Sequence, residues 1–385
     1  MKLRHLVPSL AIAAATIPAA SAFEVDGDGW QLSIEPRFQL RAAFASASSA
    51  DGETDYDIWE KQDTDNPQAL NFMVRRARVY FKGGTDDGWK FNYTIMADNI
   101  GRADDRDNAN IDVRYAYLGK KIKTDNLTHY IQFGLDKNTA AVADTDSSSK
   151  LLFPNGRLVA GWTGPRSIGL KYKLSAPVFS LDAGLADETS DENNDWHFHL
   201  RLASCLKEEW KLKKRSESYL GKDGFGHEAG IGINIKTDGS DDPDGTEDDD
   251  HTVIFLDYLV HYNQITGLVD IALPSTGDAG KIGGTGADTS GMIANAQIGY
   301  AVPLDSGCVA EPAFRLTYID ADDDDDDEAG VLQREGGASG IYVDAGVNYY
   351  FDGHSNKIQA AVQYFTPEEG DGDGFVFRIQ HQLDF

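Results

Sequence analysis

The last eleven residues of the chain, 375–385, alternate between two kinds of side chain. The odd positions are apolar apart from His381 and end on the final residue, Phe385, whereas the even positions after Val376 are polar. A period of two over this length predicts a β-strand with one apolar and one polar face. Chain ends normally fray, whereas a closed barrel in lipid pairs its last strand with its first. An ordinary strand of a soluble β-protein is the alternative.

The same alternation recurs from residue 30 onward. In the first such segment, Leu32 and Phe38 share a face that opposes Arg37 and Arg41. The predicted fold class is all-β, a transmembrane antiparallel β-barrel of about 16 strands, an even number as in bacterial single-chain barrels. The predicted strands are 30–44, 72–82, 89–98, 111–120, 128–136, 168–174, 179–185, 196–205, 229–235, 253–260, 265–273, 292–302, 309–319, 341–351, 358–365 and 375–385.

The connections alternate in length, which is typical of such barrels. Short periplasmic turns are predicted at 83–88, 121–127, 175–177, 261–264, 303–308 and 352–356. The connections that alternate with them along the chain are longer and should be extracellular. One connection departs from this rule, because 206–226 should be a short turn but is long and basic. We interpret it as an insertion. Whether it contains a short helix or an additional pair of strands stays open.

The N-terminus predicts export. A basic start, an apolar run and Ala20-Ser21-Ala22 predict a signal peptide at 1–22 and one barrel domain at 23–385. No later segment has the length and apolarity of a transmembrane helix. The net charge of −28 argues against nucleic acid as a partner. Export permits a disulfide between Cys205 and Cys308, but two unrelated cysteines are an equal alternative.

Five short motifs follow one another along the chain. They are Asn71-Phe-Met-Val-Arg-Arg-Ala-Arg-Val-Tyr-Phe-Lys-Gly83, then 113–119, 132–135, 164–169 and 348–354. By composition and order they resemble the phosphate-selective porin O/P family of outer-membrane channels. The last strand, with its terminal Phe, resembles the assembly signal of bacterial outer-membrane barrels.

The resemblance implies a sixteen-stranded homotrimer in the Gram-negative outer membrane. Its third extracellular loop, here 137–165, should fold inward as a constriction loop. The implied partners are outer-membrane lipid, small ions and solutes, and further copies of the chain, and no cofactor is expected. The implied function is a water-filled porin for passive diffusion of small hydrophilic solutes and ions, phosphate or other anions among them.

Basic side chains on the predicted lumen face are the candidate pore-lining and solute-binding residues. The planar fork of Arg pairs with phosphate or carboxylate oxygens, and ladders of Arg and Lys give anion preference. On strands they are Arg37, Arg41, Arg76, Arg78, Lys171, Lys173, Arg201, Arg315 and Arg378. At the expected narrow point they are Lys137, Lys150, Arg157 and Arg166.

Two plainer interpretations of these basic residues stay open. Carboxylates also face inward, so the wall arginines could simply pair with them, and the loop residues could serve solubility. The predicted inward carboxylates are Glu35, Asp98, Asp182, Glu228, Asp257, Asp270, Glu311 and Asp344.

Three acidic runs lie on predicted extracellular loops, at 51–60, 241–250 and 320–328. Negative charge at a pore mouth repels anions over roughly a Debye length of ~8 Å, so a general porin with cation preference is the alternative. Clustered carboxylates also bind Ca²⁺, which makes Asp248, Asp249, Asp324 and Asp325 weak metal candidates. No loop has the EF-hand spacing, and solvated acidic surface is the simpler interpretation.

Two other classes of function are weighed. An outer-membrane barrel enzyme such as a phospholipase needs a Ser–His pair oriented by a third group on the outer face. His381 lies on the apolar face, but no nucleophile motif accompanies it. A soluble secreted sugar-binding β-protein would be extracted without detergent. We therefore predict no catalytic residues and a channel rather than an enzyme.

Overall fold

The structure is a computed structural model. It describes residues 22–47, 68–100, 111–145, 147–163, 166–187, 196–212, 215–220, 224–237, 251–276, 289–321, 339–368 and 373–385. Residues 1–21 of the predicted signal peptide lie outside this part. So do the four metal candidates Asp248, Asp249, Asp324 and Asp325 and most of the three acidic runs.

In the described part of the chain, eighteen strands form one antiparallel sheet. In chain order they are β1 Phe23–Gly27, β2 Trp30–Ala47, β3 Gln68–Thr85, β4 Trp89–Met96, β5 Asp112–Lys123, β6 Thr128–Lys137, β7 Arg166–Ser175, β8 Phe179–Asp187, β9 Trp196–Ser204, β10 Phe225–Thr237, β11 His251–Tyr262, β12 Ile265–Thr276, β13 Thr289–Tyr300, β14 Val302–Pro303, β15 Val309–Ala321, β16 Gly340–Asp352, β17 Asn356–Pro367 and β18 Gly374–Asp384. Among the described residues, no helix is long and apolar enough to cross a membrane.

The sheet closes on itself, as the last strand predicted. β18 pairs with β2 from Gly374 opposite Ala47 to Asp384 opposite Arg37. The closed ring contains 16 strands, and β1 and β14 are the two additional ones. β1 pairs with β2 where β18 ends, so it continues the same seam. The prediction of a closed antiparallel barrel of about 16 strands is confirmed.

Side chains sort to the two faces by the parity that the sequence predicted. Phe38 and Phe133 are 43% and 64% exposed on the outside, while the inner side chains of Arg78 and Gln382 are buried. A barrel in lipid needs an apolar exterior of this kind. We call the rim that carries the short connections and Phe385 the turn end, and the opposite rim the loop end.

The chain between β6 and β7 folds into the barrel. We call residues 138–163 the inward segment; it contains a single helical turn, α1 (Val142–Thr145), and two 3₁₀ turns, Ser148–Lys150 and Leu158–Thr163. Ala140 packs so closely on β10 that a Cβ at Gly232 would overlap the Ala140 carbonyl oxygen. The predicted inward fold of the third loop is confirmed.

The long connection between β9 and β10 also enters the barrel, from the turn end. We call residues 205–224 the turn-end segment. Its described part holds one 3₁₀ turn, Glu208–Trp210, and no added strand pair. Ser216, Glu217 and Ser218 are buried. Cys205 and Cys308 are both free thiols, so the two cysteines do not form the disulfide that export would permit.

The lipid-facing parity makes a testable prediction at Phe133. Phe133→Arg should lower the free energy of unfolding in a bilayer by about 2–4 kcal/mol, because a charge on the outer face of a barrel must leave water. Phe133→Leu, the matched apolar control, should cost roughly 1 kcal/mol or less. Urea unfolding in lipid vesicles measures both, and an equal cost for the two variants would contradict the assignment of this face to lipid.

Candidate pore and inward segments

Basic side chains dominate an open space inside the barrel. A cavity of ≈ 730 Å³ runs along the inner face of β2–β7. Among the described residues that line it, eleven are Arg or Lys and two, Asp136 and Glu217, are acidic. The basic residues are Arg37, Arg76, Arg78, Lys82, Lys90, Arg114, Lys121, Lys137, Arg157, Arg166 and Lys173. The cavity is therefore electropositive although the whole chain carries a net charge of −28.

Wall carboxylates neutralise part of this charge. Arg37 pairs with Asp384 at 2.7 Å, and Lys173 pairs with Asp182 at 3.0 Å. Arg78 Nε lies 3.0 Å from Asp98 Oδ1. These carboxylates do not line the cavity, so most of the charged groups that border the space are cationic.

Tyrosine rings hold several of the cations in place. Arg37 and Lys82 lie over the Tyr80 ring, each 4.9 Å from its centroid. Arg114 and Arg166 lie 5.7 and 5.3 Å from the centroid of Tyr115. Such contacts orient a cation without neutralising it. The cavity wall thus presents positive charge on a rigid aromatic support.

Three basic residues lie together at the loop end of the cavity. Lys137, the last residue of β6, is the cross-strand neighbour of Arg166, the first residue of β7. Arg114 lies on the adjacent strand, 3.9 Å from Asp98. An anion entering from this rim would meet Arg114, Lys137 and Arg166 first.

Arg114 was missed by the sequence analysis because its strand contains a bulge. Tyr115 pairs with Thr94 and Val113 pairs with Ile95, so Arg114 is the extra residue between them. A β-bulge places two successive residues opposite one and breaks the parity of the strand. The ambiguous facing of 111–120 was the available signal. Lys82, Lys90 and Lys121 also line the cavity but were not among the candidates. Lys82 and Lys90 were on predicted polar faces, and Lys121 lies beyond the predicted end of its strand, because β5 extends to Lys123.

The opposite half of the lumen is packed. Ala140, Ala141, Leu158 and Val159 of the inward segment form a buried cluster with apolar side chains on the inner wall. Those wall residues are Val253, Phe255, Ala272, Ile293, Ile319, Tyr342 and Phe365, from β11 to β17. The inner wall is therefore polar where it faces the cavity and includes an apolar patch where the inward segment covers it.

Several candidate residues do not line the cavity. Arg41 donates to Gln380, at 2.9 Å, and to the Pro154 carbonyl. Arg315 donates to Asp344 at 3.0 Å and to the Gly156 carbonyl at 3.1 Å. The others are Arg201, bonded to Asp257 and Glu228, Arg378, bonded to Gln363, and Lys171, bonded to Asp136. For these residues the contacts agree with the alternative interpretation, in which basic side chains of the wall bond to neighbouring groups and do not face the ion path.

The four loop candidates are placed differently from one another. Lys137 and Arg166 line the cavity at the base of the inward segment. Arg157 also borders it, but its guanidinium is buried between Glu217 and Asp270, at 3.2 and 3.3 Å. Lys150 is half-buried in the 3₁₀ turn Ser148–Lys150.

The backbone of the inward segment is anchored by polar side chains of the far wall. The Leu151 carbonyl accepts hydrogen bonds from Lys357 Nζ and Gln359 Nε2, both at 3.0 Å. The Leu152 carbonyl accepts one from Asn348 Nδ2 at 2.9 Å. These bonds satisfy carbonyl groups that would otherwise be buried without partners. This anchoring role was not predicted, because the polar parity of β16 and β17 does not show which side chains meet the inward segment.

Two observations on the described part of the chain concern metal binding and His381. No group of three or more His, Cys, Asp or Glu residues there could hold a metal ion. His381 Nε2 lies 3.1 Å from Asn356 Oδ1 on the neighbouring strand. That contact joins the side chains of two neighbouring strands, β17 and β18, as expected for a structural residue.

Comparison with known sequences identifies a family. The model of the family described as phosphate-selective porin O and P matches residues 50–256, which is more than half of the chain. No curated protein matches the chain significantly.

Solved outer-membrane proteins share the fold. An anion-selective porin from Comamonas acidovorans aligns with a TM-score of 0.58 at 9% identity, covering 92% of this chain and 100% of that one. OmpF of Salmonella typhi, solved with daunomycin, aligns at 0.57 and 17%, covering 94% and 100%. The trimer form of Vibrio cholerae OmpT aligns at 0.54 and 14%, covering 93% and 100%. At these identities the likeness concerns the fold alone.

The anchoring of the inward segment can be tested at β17. Lys357→Met combined with Gln359→Leu would leave the Leu151 carbonyl without its two donors, at a cost of about 1–3 kcal/mol. We expect faster hydrogen–deuterium exchange in peptides covering 147–163, with the exchange of β2 and β3 unchanged. Lys357→Met alone, which keeps the Gln359 bond, should have a smaller effect. Equal exchange in the wild type and the double variant would contradict the anchoring.

Proposed function

The chain belongs to the phosphate-selective porin O and P family, and on this premise we propose that it is a passive diffusion channel that favours small anions, phosphate among them. Family and fold together make it an outer-membrane channel. They point away from an enzyme. The anion preference is the finer proposal, and it rests on the charges inside the barrel.

The observation that carries the proposal is the excess of basic over acidic residues around the cavity. An ion in a narrow pore exchanges part of its hydration shell for groups on the wall, so wall charge sets the sign of the ion that enters. Guanidinium groups do this without losing their proton. From the loop end to the turn end, the cavity offers Arg114, Lys137 and Arg166, then Arg76 and Arg78, then Lys82, Lys90 and Lys121.

The acidic extracellular runs favour a second candidate, a porin with cation preference. Their charge would concentrate cations at the mouth and would be screened by salt. The two candidates differ in where selectivity arises. Charge inside a narrow passage is screened less than charge on exposed loops, so an anion preference set by the cavity should persist as the salt concentration rises.

Two further features are proposed on the same premise. We infer a homotrimer, because the fold is shared with a Vibrio cholerae OmpT that was solved in a trimer form. We also infer that residues 1–22 are removed on export, so that the mature chain begins at Phe23, the first residue of the strand that continues the seam.

Reversal potentials in planar bilayers under a KCl gradient test the anion preference. We expect the wild type to favour chloride over potassium. Arg114→Gln with Arg166→Gln should lower the chloride-to-potassium permeability ratio about twofold or more, because two charges at the loop end of the cavity are lost. Lys207→Gln is the control, since Lys207 is exposed on the turn-end segment and does not line the cavity.

A wild-type potential on the potassium side would contradict the proposal and favour the cation-preferring porin. An unchanged ratio in the double variant would show that these two side chains lie off the ion path.

A further inference from the structure

The turn-end segment is bonded to the inner wall at the turn end of the barrel. His261 Nε2 donates to the Ser216 carbonyl at 2.9 Å. Tyr350 donates to Ser218 Oγ at 3.1 Å, and the Tyr219 amide donates to Thr266 Oγ1 at 3.2 Å. Three strands of the ring, β11, β12 and β16, therefore hold one short stretch of this segment inside the lumen.

Glu217, in the centre of that stretch, contacts the inward segment. Its Oε2 accepts a hydrogen bond from the Leu152 amide at 3.1 Å, and its Oε1 lies 3.2 Å from Arg157 Nε. Arg157 in turn lies 3.3 Å from Asp270 on β12. The side chains of Glu217, Arg157 and Asp270 are at most 2% exposed. Two segments that enter from opposite rims thus meet at one carboxylate.

The backbone at Leu151 and Leu152 is fixed from both sides by this arrangement. Its amide is held by Glu217 and its carbonyl by Asn348, while the preceding carbonyl is held by Lys357 and Gln359. Of these contacts, the one from Glu217 comes from a connection rather than from the barrel wall. The turn-end segment therefore takes part in positioning the inward segment.

Burying this charge cluster is costly, which argues for a role other than stability. Removing charged groups from water carries a desolvation penalty that ion pairing often only offsets. An apolar contact would join the two segments at lower cost. The charged contact has one property that an apolar contact lacks: Glu217 and Arg157 both border the basic cavity, so their charges also act on the passing ion.

From these observations we propose that Glu217 is a positioning and selectivity residue that docks the two segments and confines ion flow to the cavity along β2–β7. The inference rests on the proposed channel function. Docking closes the β11–β17 half of the lumen. The carboxylate of Glu217 also offsets Arg157 at the cavity border, which limits how strongly the passage holds an anion.

Two substitutions separate docking from charge. Glu217→Gln keeps an acceptor for the Leu152 amide but removes the negative charge. It should raise the chloride-to-potassium permeability ratio by roughly 1.5-fold or more, with conductance near that of the wild type. Glu217→Ala removes both contacts. It should increase single-channel conductance by roughly 1.5-fold or more and add current noise, because the inward segment is no longer held from the turn end.

Asp344→Asn is the matched control. Asp344 is also a buried carboxylate paired with an arginine, Arg315, at 3.0 Å, but it does not line the cavity. It should leave the permeability ratio unchanged. If Glu217→Ala fails to assemble, Glu217→Gln still decides the question through the ratio.

The inference would be overturned if the Glu217 variants that assemble had the same conductance, noise and permeability ratio as the wild type. That result is distinct from a failure of the proposed function, which would appear as absent channels or a potassium-side potential in the wild type. The conductance and noise of Glu217→Ala test the docking whichever ion the wild type prefers.

Discussion

A barrel of sixteen strands encloses more space than its own wall side chains can fill. What the chain folds into that space therefore decides what the barrel can do. Here the inward segment enters from the loop end and the turn-end segment from the opposite rim, and both lie against one side of the wall. The other side, from β2 to β7, keeps a cavity of ≈ 730 Å³. Confinement of the open space to one side follows from where these two segments pack.

Polar groups of the wall serve two ends in this arrangement. A segment that crosses a lumen brings its peptide groups with it, and each must find a partner where water is excluded. Arg315 bonds a wall carboxylate and a carbonyl of the inward segment at once, which a guanidinium can do because it carries five donors. Arg37 and Arg78 instead combine a wall carboxylate with a place on the cavity border. The same residue type thus anchors the packed half and charges the open half.

Parity along the strands made much of the fold predictable. Gln132 and Phe133 fall on opposite faces because successive side chains of a strand point to opposite sides of the sheet. The alternation of the last strand and its terminal Phe predicted that this strand would pair and close the barrel. Arg114 was missed because a bulge shifts parity by one, and the only sign of it in the sequence was the ambiguous facing of 111–120. Val253 and Phe255 face inward although they are apolar, since the inward segment covers them. Which arginines line the cavity depends on contacts between segments far apart in sequence, so a strand-by-strand analysis could not separate Arg78 from Arg315.

The central claim is that ions pass only along β2–β7, and thiol accessibility during conduction tests it most directly. In a Cys205→Ser, Cys308→Ser background, single cysteines would replace Asn92 and Thr128, which line the cavity, and Asn295 and Thr317, which are buried on the opposite wall. A small anionic thiol reagent added to an open channel should reduce the current through the first two variants and leave the last two unaffected. Block of the current by modification at position 295 or 317 would place ion flow through the half described as packed and contradict the account.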